Sequence, residues 1–163
     1  MRLNLHEILG NPGARLPFDC ELEPEGLDFP SIHAYLTKPH AIGRVENAAG
    51  VLRLEGTLSA DLECVCDRCG ALFESTKVTQ LHATIVDEDD GENPELFPLE
   101  GTEVDLDEIL RTAFVLDMET KFLCREDCRG LCPKCGKNLN LGPCGCGKEI
   151  DPRFAVLEQL LDK

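Results

Sequence analysis

Residues 52–70 read LRLEGTLSADLECVCDRCG, and the fold expected of the whole chain follows from this stretch. Leu52, Leu54, Gly56, Leu58, Ala60, Leu62, Cys64 and Cys66 hold alternate positions, with Arg53, Glu55, Thr57, Ser59, Asp61 and Glu63 between them. Period two marks a half-buried strand, one face on a core and the other in water. Gly56 inside so long a strand predicts a bulge or bend. The strand runs into Cys66-Asp67-Arg68-Cys69-Gly70. The short gap between the sulfurs lets one tight turn present both to a metal, and the glycine supplies the positive φ such a turn needs. Phe73–Val86, carrying Val78, Leu81, Ile85 and Val86, reads as the returning strand. The cysteine knuckle therefore caps the tip of a β-hairpin. A further strand is expected from Ser31 to Asn47, interrupted near Pro39 and set off by Gly50, so the arm is antiparallel with three strands or more. Cys64 falls on the core-facing set and predicts a packed thiol rather than a ligand, as does the isolated Cys20.

A second knuckle of the same form, Cys132-Pro133-Lys134-Cys135-Gly136, lies within CREDCRGLCPKCGKNLNLGPCGC, residues 124–146. That stretch holds six of the ten cysteines, at Cys124, Cys128, Cys132, Cys135, Cys144 and Cys146. Thiolates this dense suit a soft tetrahedral cation, Zn²⁺ above all. The ligand set is Cys66, Cys69, Cys124, Cys128, Cys132, Cys135, Cys144 and Cys146, around one zinc or two, and spacing leaves three arrangements open. One places Cys132, Cys135, Cys144 and Cys146 around one ion and Cys66, Cys69, Cys124 and Cys128 around another. A second joins the two knuckles, as in zinc ribbons. A third confines a single site to 124–146 and leaves Cys66 and Cys69 free. In the first two the hairpin tip is clipped to the C-terminal module, and structural zinc contributes on the order of 10 kcal/mol to folding.

With no exported leader and no apolar run long enough for a bilayer, the thiols are expected to meet a reducing cytoplasm and to take metal rather than form disulfides. Acidic residues number 31 against 16 basic, a formal net charge of −15. A surface of that sign repels phosphate over most of its extent and suits a basic partner. The charge is uneven. Residues 87–108 hold eleven acidic side chains and no basic one, whereas residues 124–148 hold Arg125, Arg129, Lys134, Lys137 and Lys148 against Glu126 and Asp127. Each four-thiolate zinc site adds a formal −2, which leaves the module near neutrality with its cations projecting to one side.

Residues 1–30 carry Pro12, Pro17, Pro24 and Pro30, and read as a short strand or turn at Leu3–Ile8 followed by irregular covering. Residues 87–103 read as a solvated loop, or as an acidic patch for a basic partner. Asp105 and Glu108 make an acidic capping box for a helix whose stripe is Leu106, Ile109, Leu110, Ala113 and Phe114, widened by Val115 and Leu116. Asp151-Pro152 opens a terminal helix over Phe154–Leu161. The fold class is α+β: an antiparallel β-sheet or hairpin core with one or two packed helices and a C-terminal cysteine-rich zinc module. Residues 1–120 form the sheet domain with the acidic loop and one amphipathic helix, and 121–163 the zinc module with the terminal helix.

Catalysis is not expected. Four sulfurs close a zinc shell, where catalytic zinc keeps an open position. His6, His33, His40 and His82 all lie away from the cysteine stretch, and no phosphate loop, nucleophile elbow or H-E-x-x-H occurs.

The order of hairpin, L-E-C-x-C-x-R-C-G, acidic loop, D-L-x-E-x-L helix, C-x3-C-x-G-L-C-P-x-C-G-x-N-L-N and D-P-R-F-A-V-L-x-x-L resembles the YceD family, from about Gly50 to Lys163. The resemblance implies a cytoplasmic, non-enzymatic factor supporting accumulation or processing of large-subunit (23S) rRNA and ribosome biogenesis. Its partners would be that rRNA or a pre-ribosomal particle and a small basic ribosomal protein, with no membrane and no small-molecule substrate, and Arg125, Arg129, Lys134 and Lys137 of the zinc module would be the candidate contacts to the RNA. The alternative is a zinc-stapled adaptor that binds the basic ribosomal protein without touching RNA. The resemblance carries no catalytic residue onto this chain. The cysteine cluster places it in the zinc-bearing branch, so zinc is not the whole family's mechanism.

Overall fold

A computed structural model describes residues 1–87, 93 and 95–146. In chain order they form β1 (Arg2–Asn4), α1 (His6–Leu9), β2 (Arg15–Glu21), β3 (Ile32–Tyr35), β4 (His40–Ala48), β5 (Val51–Val65), β6 (Leu72–Val86), β7 (Leu96–Pro98), β8 (Glu103–Asp105) and α2 (Leu106–Leu116). The architecture is α+β. A six-stranded sheet runs β2-β4-β5-β6-β7 with β3 also on β5, and β1 pairs separately with β8.

The long hairpin β5–β6 is the spine. Its register is continuous from Leu52 opposite Ile85 to Val65 opposite Leu72. Leu54, Leu58, Ala60, Leu62 and Cys64 point into the core, joined from β6 by Leu81, Ala83 and Ile85. Cys64 is fully buried there, and Cys20 packs against the same core half-buried, both as expected of packed thiols. The β4–β5 turn at Ala49-Gly50 takes positive φ at both residues, the conformation whose twist matches that of the strands.

Several sequence expectations change. Gly56 carries no bulge: it lies opposite Gly43 in unbroken register. What the sheet needs there is space, because a Cβ on Gly56 would stand 2.8 Å from the Gly43 Cα, and one on Gly43 would stand 2.6 Å from the Phe18 ring. The one register shift along this strand lies at Ile32/Ala34, where β3 meets β5. Residues 15–21 are not irregular covering but a full edge strand along β4. Pro17 obscures it in the sequence, yet an edge strand tolerates a missing N–H. Leu3–Ile8 divides into the end of β1 and a short helix.

The acidic segment also contains structure beyond residue 94. β7 runs parallel to β6 and buries Phe97, and β8 buries Val104. Residues 88–92 and 94 of that segment lie outside the described residues, as does the expected terminal helix at 154–161.

α2 begins where expected, with the Asp105 carboxylate accepting from the N–H groups of Asp107 and Glu108. Leu106, Ile109, Leu110 and Phe114 are buried, and Phe29 meets Phe114 edge-on at 6.1 Å. Val115 and Leu116 do not widen the stripe. They are 48% and 63% exposed: Val115 lies on the opposite side of the helix at 100° per residue, whereas Leu116, in phase with Ile109, is the last residue of the helix. Below the helix, Lys77 points inward from β6. Its ammonium donates to the Asp117 carbonyl and lies 2.9 Å from the Asp117 carboxylate and 3.1 Å from that of Glu119. This contact fixes the end of α2 and aims residues 117–123 back toward the hairpin tip.

Candidate metal centres

Two local turns of the same design present the sulfurs. In the first, the Gly70 N–H donates to the Cys66 carbonyl at 2.8 Å and the Cys66 N–H to the Ala71 carbonyl at 2.9 Å. In the second, the Gly136 N–H donates to the Cys132 carbonyl at 2.8 Å and the Cys132 N–H to the Lys137 carbonyl at 2.9 Å. Gly70 and Gly136 have φ of +68° and +71°, the left-handed conformation that the C-x-x-C-G pattern anticipates.

Tertiary structure then groups the thiols in two tetrads. Cys66, Cys69, Cys124 and Cys128 form one, and Cys132, Cys135, Cys144 and Cys146 the other, with every sulfur within 4.8 Å of the rest of its group. This is the first of the three arrangements, and neither the joined-knuckle pairing nor free Cys66 and Cys69 corresponds to it. The Cys66–Cys128 and Cys69–Cys124 sulfurs are 3.8 and 3.7 Å apart. Four sulfurs bound tetrahedrally at about 2.3 Å from one ion stand about 3.8 Å from each other, so the first tetrad has the dimensions of a single-ion site. No histidine or carboxylate joins either group among the described residues.

The first tetrad joins distant parts of the chain. Phe122 donates its N–H to the Asp67 carboxylate at 2.6 Å and accepts the Asp67 N–H at 2.9 Å, while the other Asp67 oxygen takes the Ser31 hydroxyl at 2.7 Å. Arg68 donates to the Cys128 carbonyl at 2.7 Å, and its own carbonyl takes the Leu131 N–H at 3.1 Å. Gly130 admits this approach, since a Cβ there would stand 2.8 Å from the Arg68 carbonyl oxygen. Asn140, from the loop of the second tetrad, donates to the Cys128 sulfur at 3.3 Å and accepts the Arg129 N–H at 2.8 Å. Asp67, Arg68 and Asn140 are the positioning residues that sequence reasoning overlooked. They stand in plain view inside C-D-R-C-G and N-L-N, but their roles depend on which strand ends meet.

The tetrads differ in exposure. Cys66, Cys69 and Cys128 are buried and Cys124 half-buried, whereas in the second group only Cys132 is buried and Cys135 is exposed. Protons are shared unequally within each. Burial opposes ionisation of Cys66, but backbone N–H groups at Cys124, Cys69 and Arg68 outweigh it and hold the thiol down at about 6. Burial and the neighbouring thiols push Cys124 up to about 12. In the second group, backbone N–H groups at Cys135 and Lys134 bring Cys132 down to about 6, while Cys135 drives Cys146 up to about 12. Adjacent sulfurs cannot all ionise without a cation among them, so a divalent ion would displace the remaining protons and take their place.

Arg125, Arg129, Lys134 and Lys137 are all exposed on this module. Arg125 lies 3.4 Å from the Asp127 carboxylate. Among the described residues no helix is long and apolar enough to cross a membrane.

The family described as large ribosomal RNA subunit accumulation protein YceD matches residues 54–161. An uncharacterized protein of Mycobacterium tuberculosis is 30% identical over 123 residues, covering 72% of this chain and 59% of its own length. One of Mycobacterium leprae is 31% identical over 127 residues, covering 72% and 57%. A chloroplastic large ribosomal RNA subunit accumulation protein YCED homolog 1 of Arabidopsis thaliana is 30% identical over 129 residues, covering 60% of this chain and 40% of its own. The chain thus spans less than two thirds of the length of the curated relatives it matches. No solved structure matches it.

Proposed function

The chain belongs to the YceD family, and we propose that it is a non-enzymatic cytoplasmic factor supporting accumulation of large-subunit rRNA, held in its working shape by two structural zinc ions. The observation that carries the zinc half is the first tetrad, whose sulfurs have single-ion spacing and join the hairpin tip to residues 124 and 128. An all-sulfur set leaves a tetrahedral ion no open position for substrate or water, so the metal is a scaffold rather than a reagent. Zinc fits better than an iron–sulfur cluster, because a cage of several metals holds its cysteine sulfurs further apart than one ion does. Cys66, Cys69, Cys124 and Cys128 would hold one ion, and Cys132, Cys135, Cys144 and Cys146 the other.

The ribosomal half rests on the family. Its description names an RNA that accumulates, and names no reaction. The partner would be the rRNA itself or a precursor particle. The test is a deletion strain in which the ratio of large- to small-subunit rRNA is measured and complemented. A fall in the ratio, restored by the intact chain and not by Cys66→Ser/Cys69→Ser, is expected. An unchanged ratio would sink the ribosomal reading, and full rescue by the cysteine variant would sink the role given to zinc.

The net charge of −15 favours a second reading, an adaptor that holds a small basic ribosomal protein and never touches RNA. Co-purification of such a protein after nuclease treatment, with no crosslink to rRNA, would select it.

A further inference from the structure

We propose that the outer edge of β6 takes up an extended, basic segment of a partner protein as an added strand. Docking of this kind is independent of a role in rRNA accumulation, and either can fail without the other.

β6 pairs with β5 from Leu72 to Ile85, but on its other side β7 covers only Thr84–Val86. On that outer side the Thr84 N–H donates to the Glu95 carbonyl. Backbone groups alternate in direction along a strand, so those of Glu74, Thr76, Val78, Gln80 and His82 point the same way as those of Thr84. Among the described residues none of these five has a backbone partner there. A row of unpaired N–H and C=O groups is a template for a further strand. The opposite edge of the sheet is guarded, since β2 carries Pro17 between the charged Arg15 and Asp19. β6 has no proline and keeps an unbroken register with β5. From Ser75 to Leu81 its one charged residue is Lys77, which turns inward to Asp117 and Glu119.

The edge also has a recess. Gln80 and His82 turn their side chains to the open face of the sheet, while α2 packs on the other face. Both line one cavity of about 220 Å³ with Phe97, Ile109 and Leu116, so that cavity lies at the edge itself. An apolar side chain of an added strand would fill it and cover Leu116.

Charge selects the occupant. On the open face Glu63 and Glu74 stand directly opposite each other, a like-charged pair that costs stability. Asp61 lies at the next pair of that face and accepts the Thr76 hydroxyl. Among the described residues no lysine or arginine pairs with these three carboxylates, and the nitrogen beside them is that of His33, 3.6 Å from Glu63. A lysine or arginine on the added strand opposite Glu74 would offset the repulsion. Val78, 51% exposed four residues on, calls for an apolar residue opposite it. The segment therefore carries a basic and an apolar residue four positions apart. A second copy of this chain would instead add another −15 of like charge.

The test uses the full, zinc-loaded chain and a labelled peptide, Lys-Val-Thr-Val-Val-Thr-Arg, read by anisotropy and by residue-resolved amide exchange. In the free chain the amides of Thr76, Val78 and Gln80 should exchange fast, while those of Lys77, Thr79 and Leu81 are protected by β5. Peptide at ten times its Kd should slow the first set about tenfold. N-methylation of one alternate set of peptide amides should abolish binding, and of the other set should not. Val78→Pro removes an outward N–H without breaking the β5 ladder, and should abolish binding with metal content and circular dichroism unchanged. Glu74→Lys should weaken binding about threefold or more. Equal binding of the peptide with glutamate in place of Lys and Arg, or unchanged binding by Val78→Pro, would overturn the inference. So would protection of Thr76, Val78 and Gln80 in the free chain, which would mean that the chain itself or a second copy already fills the edge.

Discussion

Replacing Cys66 and Cys69 by serine removes the hairpin tip's half of the first tetrad, and the structure sets the size of the effect. The sulfurs that meet there are separated by 62 and 55 positions in sequence. Closing a loop of about 58 residues removes about 14 cal/mol/K of entropy from the unfolded chain, so loop closure alone makes the latch stabilise by at least about 4 kcal/mol at 25 °C, within the order of 10 kcal/mol a structural zinc contributes. A typical domain has only about 5–15 kcal/mol in all. For a chain of this size the expected fall in Tm is about 8–16 °C. The assay is metal content by mass spectrometry together with thermal unfolding followed by circular dichroism. Metal should fall from two ions to one, with the second tetrad still loaded. Cys64→Ala serves as the control, since Cys64 is buried in the apolar core and belongs to neither tetrad, and both ions should remain. Two ions retained by the double variant, or a Tm within a degree of the parent's, would refute the latch.

Three further expectations concern the parts that position the latch. Asn140→Ala removes the N–H donated to the Cys128 sulfur, and chelator should strip the first site about 10–100-fold more readily while the count of ions at saturation is unchanged. Gly43→Ala drives a methyl into the Phe18 ring and the Gly56 backbone, and denaturant titration should show a loss of about 1–3 kcal/mol or more. Lys77→Met should cost about 1.5–3 kcal/mol and flatten the pH dependence of stability. Burial works against the charge of Lys77, but Asp117 and Glu119 outweigh it and raise its pKa, while Lys77 lowers that of Asp117. The raised ammonium stabilises until pH climbs past about 10.5, and the lowered carboxylate until pH falls below about 4. Stability measured across pH should therefore lose both shoulders in the variant. A profile that keeps them would refute the pairing.

Period two in residues 52–66, the glycine after each C-x-x-C and the Asp105 cap are local properties, and each was legible because it needs only a few neighbouring residues. The edge strand at 15–21 was hidden by Pro17, since no sequence signal says that a strand will lie where a missing N–H is harmless. Gly56 misled for a related reason. A glycine that makes room for another strand's backbone reads the same as one that marks a bulge, and only its opposite number, Gly43, tells them apart. Val115 and Leu116 were assigned to the core on hydrophobicity, although helical phase turns Val115 outward and Leu116, on the core-facing side, is the last residue of the helix.

By itself the sequence determined that thiols would be offered in pairs, that a hairpin would carry the first pair, and that cations would gather beside the second. Which sulfurs meet was decided only by the tertiary structure. Pairing depends on where α2 ends, on the hold of Lys77 at that end, and on the Asp67–Phe122 contact that returns the chain to the tip. The physical reason is reach. A turn brings together residues three apart by its own backbone geometry, whereas Cys66 and Cys128 meet only after the intervening strands and helix have packed.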